Sequence, residues 1–338
     1  MKNKQPTIYL CAVAAGYALL LAGVYLLPPV LQLPLWLAGL IALPPLTLAM
    51  GSKMQPRYFY LTAAALFAVS TLVGQSAGVL LFALLFGSAL VLAPLTRRTP
   101  DLFPILFFGG SLFLALVVLG AALVIKGHYG VFDFRSVYAA LEQRILSTVD
   151  QIAAAYSSVF GAQADDMMNT LKAMIAQNID AYVMQIITLM ATLLLGLHLW
   201  TLKAAQFITR KSRSIFVIGF QLFTVPRSIT GAFMVTYCIG IFTIGTDYQY
   251  AFSLANTLMG YLFVLCGIGF IDLLLSAKAP AAARTAVKII LLLAAFISDS
   301  FLSGVIYSFL MALGVFVSFT RKLTILKQQR KEDDDEHK

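Results

Sequence analysis

The stretch LFPILFFGGSLFLALVVLGAALVI (Leu102–Ile125) decides the class of fold to which this chain belongs. No charged residue lies between Asp101 and Lys126. The stretch is long enough to cross a bilayer core as an α-helix, which takes roughly 20 residues. In lipid such a segment must be helical, because each unpaired backbone N–H or C=O group would cost several kcal/mol. We therefore predict a transmembrane helix here.

The rest of the chain has the same character. Of its 338 residues 60% are hydrophobic and 12% are charged, and the mean hydropathy is +0.87. These values exclude a soluble globular protein, which needs more charged residues to cover its surface. We predict an all-α fold, a polytopic bundle of about ten transmembrane helices. The predicted spans are Ile8–Leu27, Val30–Met50, Tyr58–Gly74, Ala77–Leu95, Leu102–Ile125, Ala181–Leu202, Ile229–Gly245, Ser253–Leu275, Ala286–Ile297 and Phe301–Phe319.

The basic residues predict the orientation of this bundle. All but four of the 24 Lys and Arg residues lie at the two ends of the chain or in alternate connections, and the four exceptions share one long segment, 126–180. Because cytoplasmic loops are enriched in Lys and Arg, we predict a multi-pass protein of the bacterial inner membrane with both termini in the cytoplasm and residues 126–180 outside. The net charge of +9 then reflects topology, and we expect the lipid bilayer rather than nucleic acid as the partner.

This topology divides the chain into four parts. Five spans form an N-terminal membrane bundle (1–125) and five form a C-terminal one (181–326), separated by the extracytoplasmic segment (126–180). The remainder (327–338) is a charged cytoplasmic tail, which we expect to be solvated and disordered. An apolar stretch near 214–225 is too short to span and lies between basic residues, which predicts a re-entrant or surface helix.

The segment 126–180 predicts an amphipathic helical hairpin. Apolar residues recur every three or four positions from Phe134 to Phe160, and after an interruption at 161–166 a second helix leads to the sixth span. The apolar stripe either packs on the bundle or the headgroup layer, or it binds a partner protein. The candidate partner-binding residues are Tyr138, Leu141, Ile145, Met168 and Leu171.

Motifs of enzymes and metal sites are absent from the sequence. It contains no P-loop, HExxH, GxSxG or strand-linked GxGxxG motif, so we expect neither an enzymatic activity nor a cofactor. Cys11, Cys238 and Cys266 lie in separate apolar segments, a pattern that indicates neither a disulfide framework nor a metal centre.

Polar residues inside the spans are the candidate binding residues. Asp272 is costly in lipid, so it marks either a proton, cation or solute site or a carboxylate paired near the cytoplasmic interface. Together with Gln185, Asn256 and Tyr261 it forms the candidate substrate-binding set, although polar residues of this kind often only join helices. Pro34, Pro44 and Pro45 interrupt the second span, which predicts either a broken helix beside a solute cavity or a plain kink.

From about Ala181 to the tail, the chain resembles the YybS-like family of predicted bacterial membrane proteins. The resemblance rests on the stretches FQLFTVP (Phe220–Pro226), GIGFI (Gly267–Ile271) and LGVFVSFTRK (Leu313–Lys322). Members commonly end in a glycine, an aspartate, an aromatic residue and an arginine, whereas here Val315 or Phe316 stands in the place of the aspartate.

The YybS-like family is defined by a domain of unknown function and is distantly similar to the substrate-binding membrane components of energy-coupling transporters. The resemblance therefore implies a transport-related protein that binds a small solute between helices, with a separate energising partner. The alternative is a non-catalytic membrane scaffold that recruits other membrane proteins through the 134–180 hairpin or the cytoplasmic basic loops.

Overall fold

The computed structural model describes residues 5–99, 101–130, 134–160, 169–170, 172–175, 177–209, 223–243, 248–276, 278–301 and 304–336. These residues are almost entirely helical and include no strand, so the predicted all-α class is confirmed for them. They form eleven α-helices and a short π-helix: α1 (Gln5–Leu26), α2 (Pro29–Lys53), α3 (Pro56–Phe82), the π-helix (Ala83–Gly87), α4 (Ser88–Arg98), α5 (Leu102–Tyr129), α6 (Phe134–Phe160), α7 (Ile179–Ile208), α8 (Arg227–Phe242), α9 (Gln249–Ser276), α10 (Ala281–Phe301) and α11 (Val305–Glu336).

Five helical stretches in this part of the chain are long and apolar enough to cross a membrane: 30–53, 56–98, 102–127, 185–208 and 255–276. Their outward faces carry large apolar side chains, such as Leu72, Leu119 and Leu193. Soluble proteins rarely expose wide apolar surfaces, but such a surface is well solvated by lipid. The fold is therefore compatible with a membrane protein.

The helical stretch 56–98 reverses direction at Gln75. The backbone of Gln75 has φ 50° and ψ −128°, outside the helical region. The ring centroids of Phe67 and Phe82 lie 5.2 Å apart, whereas a continuous helix would hold these positions about 22 Å apart. The carbonyl of Ser70 lies directly against Gly78, where a side chain would have no room. Residues 56–98 thus form two antiparallel arms, and the turn lies at the connection predicted between the third and fourth spans.

The last two helices are separate elements. Gly304 has φ 68°, a left-handed conformation that glycine adopts without strain, and it ends the connection between α10 and α11. Ala295 of α10 is buried in one cluster with Tyr307 and Leu310 of α11, so the two helices pack side by side. Toward its other end α11 continues as a helix to Glu336, where we expected a disordered tail. Strong helix formers and the lack of Gly or Pro after Gly314 account for this difference.

Two predicted features lie partly outside the described residues. α6 covers the first arm of the predicted hairpin, but residues 161–168, which would hold the turn, are not described. The predicted re-entrant or surface helix near 214–225 falls largely on residues 210–222, which are also not described. Its described end, 223–226, is not helical.

The largest buried cluster joins the N-terminal and C-terminal halves of the chain. Helices α2, α3, α4 and α5 of the first half and α7, α8, α9 and α11 of the second half all supply residues to this core. Its fully buried members include Leu48, Met50, Leu92, Ile105, Leu202, Phe233, Phe263, Cys266 and Val317. The two predicted bundles therefore share one continuous core.

Glycines permit the close approach of α9 and α11. A Cβ atom on Gly267 would collide with the carbonyl of Leu310, and one on Gly314 would collide with the carbonyl of Phe263. Membrane helices associate closely where small residues let their backbones meet, because lipid supplies little hydrophobic drive between helices. This contact fixes the position of α9, which carries most of the candidate binding residues.

Candidate functional site

Two of the three stretches that carry the family resemblance meet at one buried junction, together with the residue that directly precedes the third. Phe223 and Val225 belong to the non-helical segment before α8, Cys266 lies on α9 and Ser318 lies on α11. The Cys266 thiol donates to the carbonyl of Phe223 at 3.3 Å, and the N–H of Val225 donates to the Ser318 hydroxyl at 3.4 Å. Irregular backbone at membrane depth needs such partners within the protein. The role of this junction is therefore to hold a non-helical segment in the core.

A buried carboxylate lies further along α9. Asp272 is 4% exposed and accepts a hydrogen bond from the Lys288 ammonium at 3.0 Å. Nη1 of Arg284 lies 4.0 Å from the other carboxylate oxygen, beyond hydrogen-bond distance. The ammonium of Lys203, on α7, donates to the side-chain oxygen of Gln206 at 3.3 Å, and its positive charge lies near that of Lys288. We call Asp272, Arg284, Lys288 and Lys203 the charged cluster.

The charged cluster holds more positive charge than its carboxylate neutralises. Arg284 and Lys288 together exceed Asp272 by one charge, and Lys203 adds to the positive field. Within the described residues, Nε of Arg284 and Oδ1 of Asp272 are buried and make no hydrogen bond. Buried charges are costly unless their donors and acceptors are paired, so the excess positive charge and the Nε donor of Arg284 leave capacity for an anionic group, whereas Oδ1 of Asp272 does not contribute to it.

The cationic side chains of the charged cluster are more exposed than its carboxylate. The side chains of Arg284 and Lys288 are 23% and 28% exposed, whereas that of Asp272 is 4% exposed. The exposed parts of Arg284 and Lys288 can therefore meet an incoming anion before the carboxylate does. The prediction that Asp272 is paired agrees with this geometry, but its partners come from the following helix. In two antiparallel helices joined by a turn, residues at similar distances before and after the turn lie side by side. Arg284 and Lys288 follow the turn at distances comparable to that of Asp272 before it, so their spacing in the sequence could have identified them as its partners.

The other predicted substrate-binding residues do not meet at the charged cluster. Asn256 faces α8, where its amide donates to the carbonyl of Thr236 at 3.4 Å; its Oδ1 is buried without a hydrogen bond to the described residues. Tyr261 packs edge to face on Tyr307 of α11, with ring centroids 5.1 Å apart. Asn256 and Asp272 are separated by about 24 Å of helix. Each side chain therefore has a different set of neighbours.

Gln185 lies apart from the rest of the predicted set. It is exposed near the start of α7, about 27 Å along that helix from Lys203. The set Asn256, Tyr261, Gln185 and Asp272 is thus distributed over opposite ends of two helices, and Asp272 alone belongs to the charged cluster. Arg284, Lys288 and Lys203 were absent from the predicted set.

The predicted partner-binding residues are only partly described. Ile145 is half-buried on α6, and Tyr138 and Leu141 lie on the same helix, with their side chains outside the described part of the structure. Met168 and Leu171 lie outside the described residues altogether. These positions therefore remain predictions.

The prolines of α2 leave a backbone carbonyl without its usual donor within the helix, and a neighbouring helix supplies one. α2 continues through Pro34, Pro44 and Pro45, although Pro44 and Pro45 have no N–H to offer to the carbonyl of Ile41. The indole N–H of Trp200, on α7, donates to that carbonyl at 2.9 Å. This contact favours the interpretation of a plain kink that is tied to a neighbouring helix over that of a broken helix beside a cavity.

His198 is another interhelical tie rather than an open site. Its Nδ1 lies 3.0 Å from the Ser88 hydroxyl on α4, and its Nε2 lies 3.4 Å from the carbonyl of Ile105 on α5. The ring also stacks on Phe113, with centroids 5.6 Å apart. Since a carbonyl only accepts, Nε2 carries the proton and Nδ1 accepts from Ser88. Both ring nitrogens are therefore occupied in joining three helices.

A metal centre is not formed by the part of the chain that the structure describes, where no three His, Cys, Asp or Glu side chains lie together. The chain matches no protein-family model, no curated protein and no solved structure, so its resemblance to the YybS-like family stays a prediction.

Proposed function

We propose that this chain is a transport-related protein of the bacterial inner membrane that binds a small solute between helices at the charged cluster. The observation that carries the proposal is the buried carboxylate of Asp272, surrounded by more cationic groups than it neutralises. Ionisable groups among membrane helices are expensive and commonly mark the path or site of a solute. The resemblance to the YybS-like family supports the same function and adds an energising partner protein.

The arrangement of basic residues supports the topology of this proposal. The Arg97 guanidinium, at the end of α4, donates to the carbonyls of Gly51 and Met54 at the end of α2. Arg227, at the start of α8, donates to the carbonyl of Phe319 on α11 at 3.1 Å. These contacts join basic helix ends that we assign to the cytoplasmic side, where the charged cluster would also lie.

We count ten spans in this proposal by taking the two arms of 56–98 separately and by including helices that are shorter or less apolar than the five long apolar stretches. The spans would be α1, α2, these two arms, α5, and α7 to α11, with α6 outside the membrane. An even number of crossings places both termini on one side, in accordance with the basic residues.

The test of solute binding is a thermal-unfolding screen of the purified protein with anionic, neutral and cationic solutes. A solute that binds only the folded state stabilises it by about 2.7 kcal/mol at a concentration of about 100 times Kd. We expect at least one class of solute to raise the Tm of the wild type, with a smaller rise in Lys288→Gln. Lys278→Gln is the matched control, because Lys278 is exposed in the connection between α9 and α10. If no solute class changes the Tm of the wild type, the proposal is wrong.

A scaffold function is the second candidate, favoured by the surface of α6. Val149 is buried, whereas Ile152 and Tyr156 are each 47% exposed on the same helix. Asp150 of α6 forms an ion pair with Lys172, which supports a hairpin that folds back beyond residue 160. An apolar face on a segment held outside the membrane would suit a protein partner.

Affinity capture from native membranes tests the scaffold. The variant Ile152→Ser/Tyr156→Ser should lose the captured partner, while Thr148→Ser, on the same helix, should retain it. Equal recovery of partner proteins with the wild type and the double variant would exclude this surface.

A further inference from the structure

We infer that the charged cluster is a site for a phosphate group, an inference that rests on the proposed function and names the chemistry of its ligand. The group would belong either to a soluble phosphate compound or to the headgroup of an anionic lipid. Both would approach from the end of the bundle at which Lys203, Arg284 and Lys288 are partly exposed.

Arg284 supplies the donor of the cluster that makes no hydrogen bond to the described residues. Its Nη1 is 4.0 Å from Asp272, and its Nε is buried without a hydrogen bond to any described residue. A guanidinium presents its N–H groups as a planar fork that fits two oxygens of one phosphate group. The carboxylate of Asp272 is engaged by Lys288, so it leaves this fork available.

The number and origin of the cations favour phosphate over a carboxylate. A phosphate monoester has three terminal oxygens and up to two negative charges, so it can accept from several donors at once. Here Arg284 and Lys288 come from α10 and Lys203 comes from α7, so the cations of the cluster come from two helices. A single carboxylate would neutralise less of the charge and offer fewer acceptor oxygens.

An ion pair with a purely structural role does not explain why Arg284 is present. Lys288 alone already gives Asp272 a hydrogen-bonded counter-ion at 3.0 Å. A second cation 4.0 Å away, with a buried donor that makes no hydrogen bond to the described residues, adds desolvation cost without completing the pair. Binding of a phosphate group gives these donors acceptors and offsets that cost.

The first experiment measures inorganic phosphate binding by calorimetry to the full-length protein in nanodiscs of phosphatidylcholine, with chloride at equal ionic strength as the reference. We expect phosphate to bind at least tenfold more tightly than chloride. Arg284→Gln and Lys203→Gln should each raise the Kd for phosphate about tenfold, and Arg284→Lys should recover part of the loss because it keeps the charge without the fork. Lys278→Gln should bind as the wild type does.

The second experiment distinguishes the two sources of the phosphate group. In nanodiscs that contain phosphatidic acid, a lipid-binding site would be occupied and would take up soluble phosphate at least tenfold more weakly. Unchanged phosphate binding would assign the site to a soluble compound. Both results support the shared chemistry, and they differ only in its source.

The inference is overturned if the wild type binds phosphate no more tightly than chloride, or if Arg284→Gln and Lys203→Gln both bind it as the wild type does. The comparison of phosphate with chloride uses the wild type alone, so it decides the question even where a variant does not fold. If another solute class raises the Tm in the screen while phosphate does not bind, this inference fails and the proposed function stands. If no solute class acts, both fail.

Discussion

The hydrogen bond between Trp200 and Ile41 gives a quantitative test of how the proline-containing helix α2 is stabilised. The carbonyl of Ile41 would normally accept from residue 45, or from residue 44 in a tighter turn, and both are prolines. Trp200 supplies the missing donor at 2.9 Å. Trp200→Phe keeps an aromatic ring but removes the N–H, so it should leave the carbonyl without its observed donor. We expect the free energy of unfolding to fall by about 1 kcal/mol. This value lies between the average contribution of a hydrogen bond between membrane helices and the cost of leaving a buried polar group without a partner.

A double-mutant cycle separates this hydrogen bond from the packing of the indole ring. Pro45→Ala restores an N–H that can bond to the carbonyl of Ile41 within α2, so Trp200→Phe should cost little in that background. The coupling energy between the two substitutions should be about 1 kcal/mol. Unfolding is best followed by far-ultraviolet circular dichroism, because removal of Trp200 alters the fluorescence of the protein. Equal costs of Trp200→Phe in the two backgrounds would refute the reasoning.

Three further predictions concern packing, charge and topology. Gly314→Ala should destabilise the protein by about 1–3 kcal/mol because its Cβ would meet an opposing backbone carbonyl, whereas Gly196→Ala, with open space around it, should cost far less in the same unfolding assay. Lys288→Gln should lower the free energy of unfolding by about 2 kcal/mol, because it removes the hydrogen-bonded counter-ion of Asp272. The loss is smaller than for a fully buried ion pair because Lys288 is 28% exposed. Equal stability of Lys288→Gln and Lys278→Gln would contradict this prediction. In a background without the native cysteines, Gln75→Cys should react with an impermeant maleimide on intact cells, and Lys278→Cys should react only after permeabilisation; the reverse pattern would invert the proposed topology.

The helices themselves could be predicted because lipid leaves the backbone few alternatives. Hydropathy and the requirement for internal hydrogen bonds locate the helical segments, and the polar pair Gln75-Ser76 located a reversal that the structure contains. The tail shows the limit of the same approach. Composition predicted a solvated, disordered end, but strong helix formers continue α11 to Glu336.

The candidate site was less predictable because it depends on which helices become neighbours. Asp272 could be selected by its charge, but hydropathy does not specify that α10 supplies its partners. Gln185, Asn256 and Tyr261 were selected by residue type within spans, and the structure uses Asn256 and Tyr261 in separate interhelical contacts. Side chains on one long helix can be about 24 Å apart, so a shared helix does not make a shared site.

The position of the charged cluster on α9 strengthens its assignment as a binding site. Gly267 and Gly314 bring the backbones of α9 and α11 together, and the neighbouring Cys266 binds the carbonyl of Phe223. These contacts hold α9 at a point only about 9 Å before Asp272. Binding sites need supporting contacts that keep their side chains in place before the ligand arrives. The charged cluster thus combines a rigid support with a buried donor, Nε of Arg284, that makes no hydrogen bond to the described residues, whereas His198 and Trp200 use their donors to join helices. This contrast is the physical reason to look for a ligand at Asp272 and Arg284 rather than at the other polar groups of the bundle.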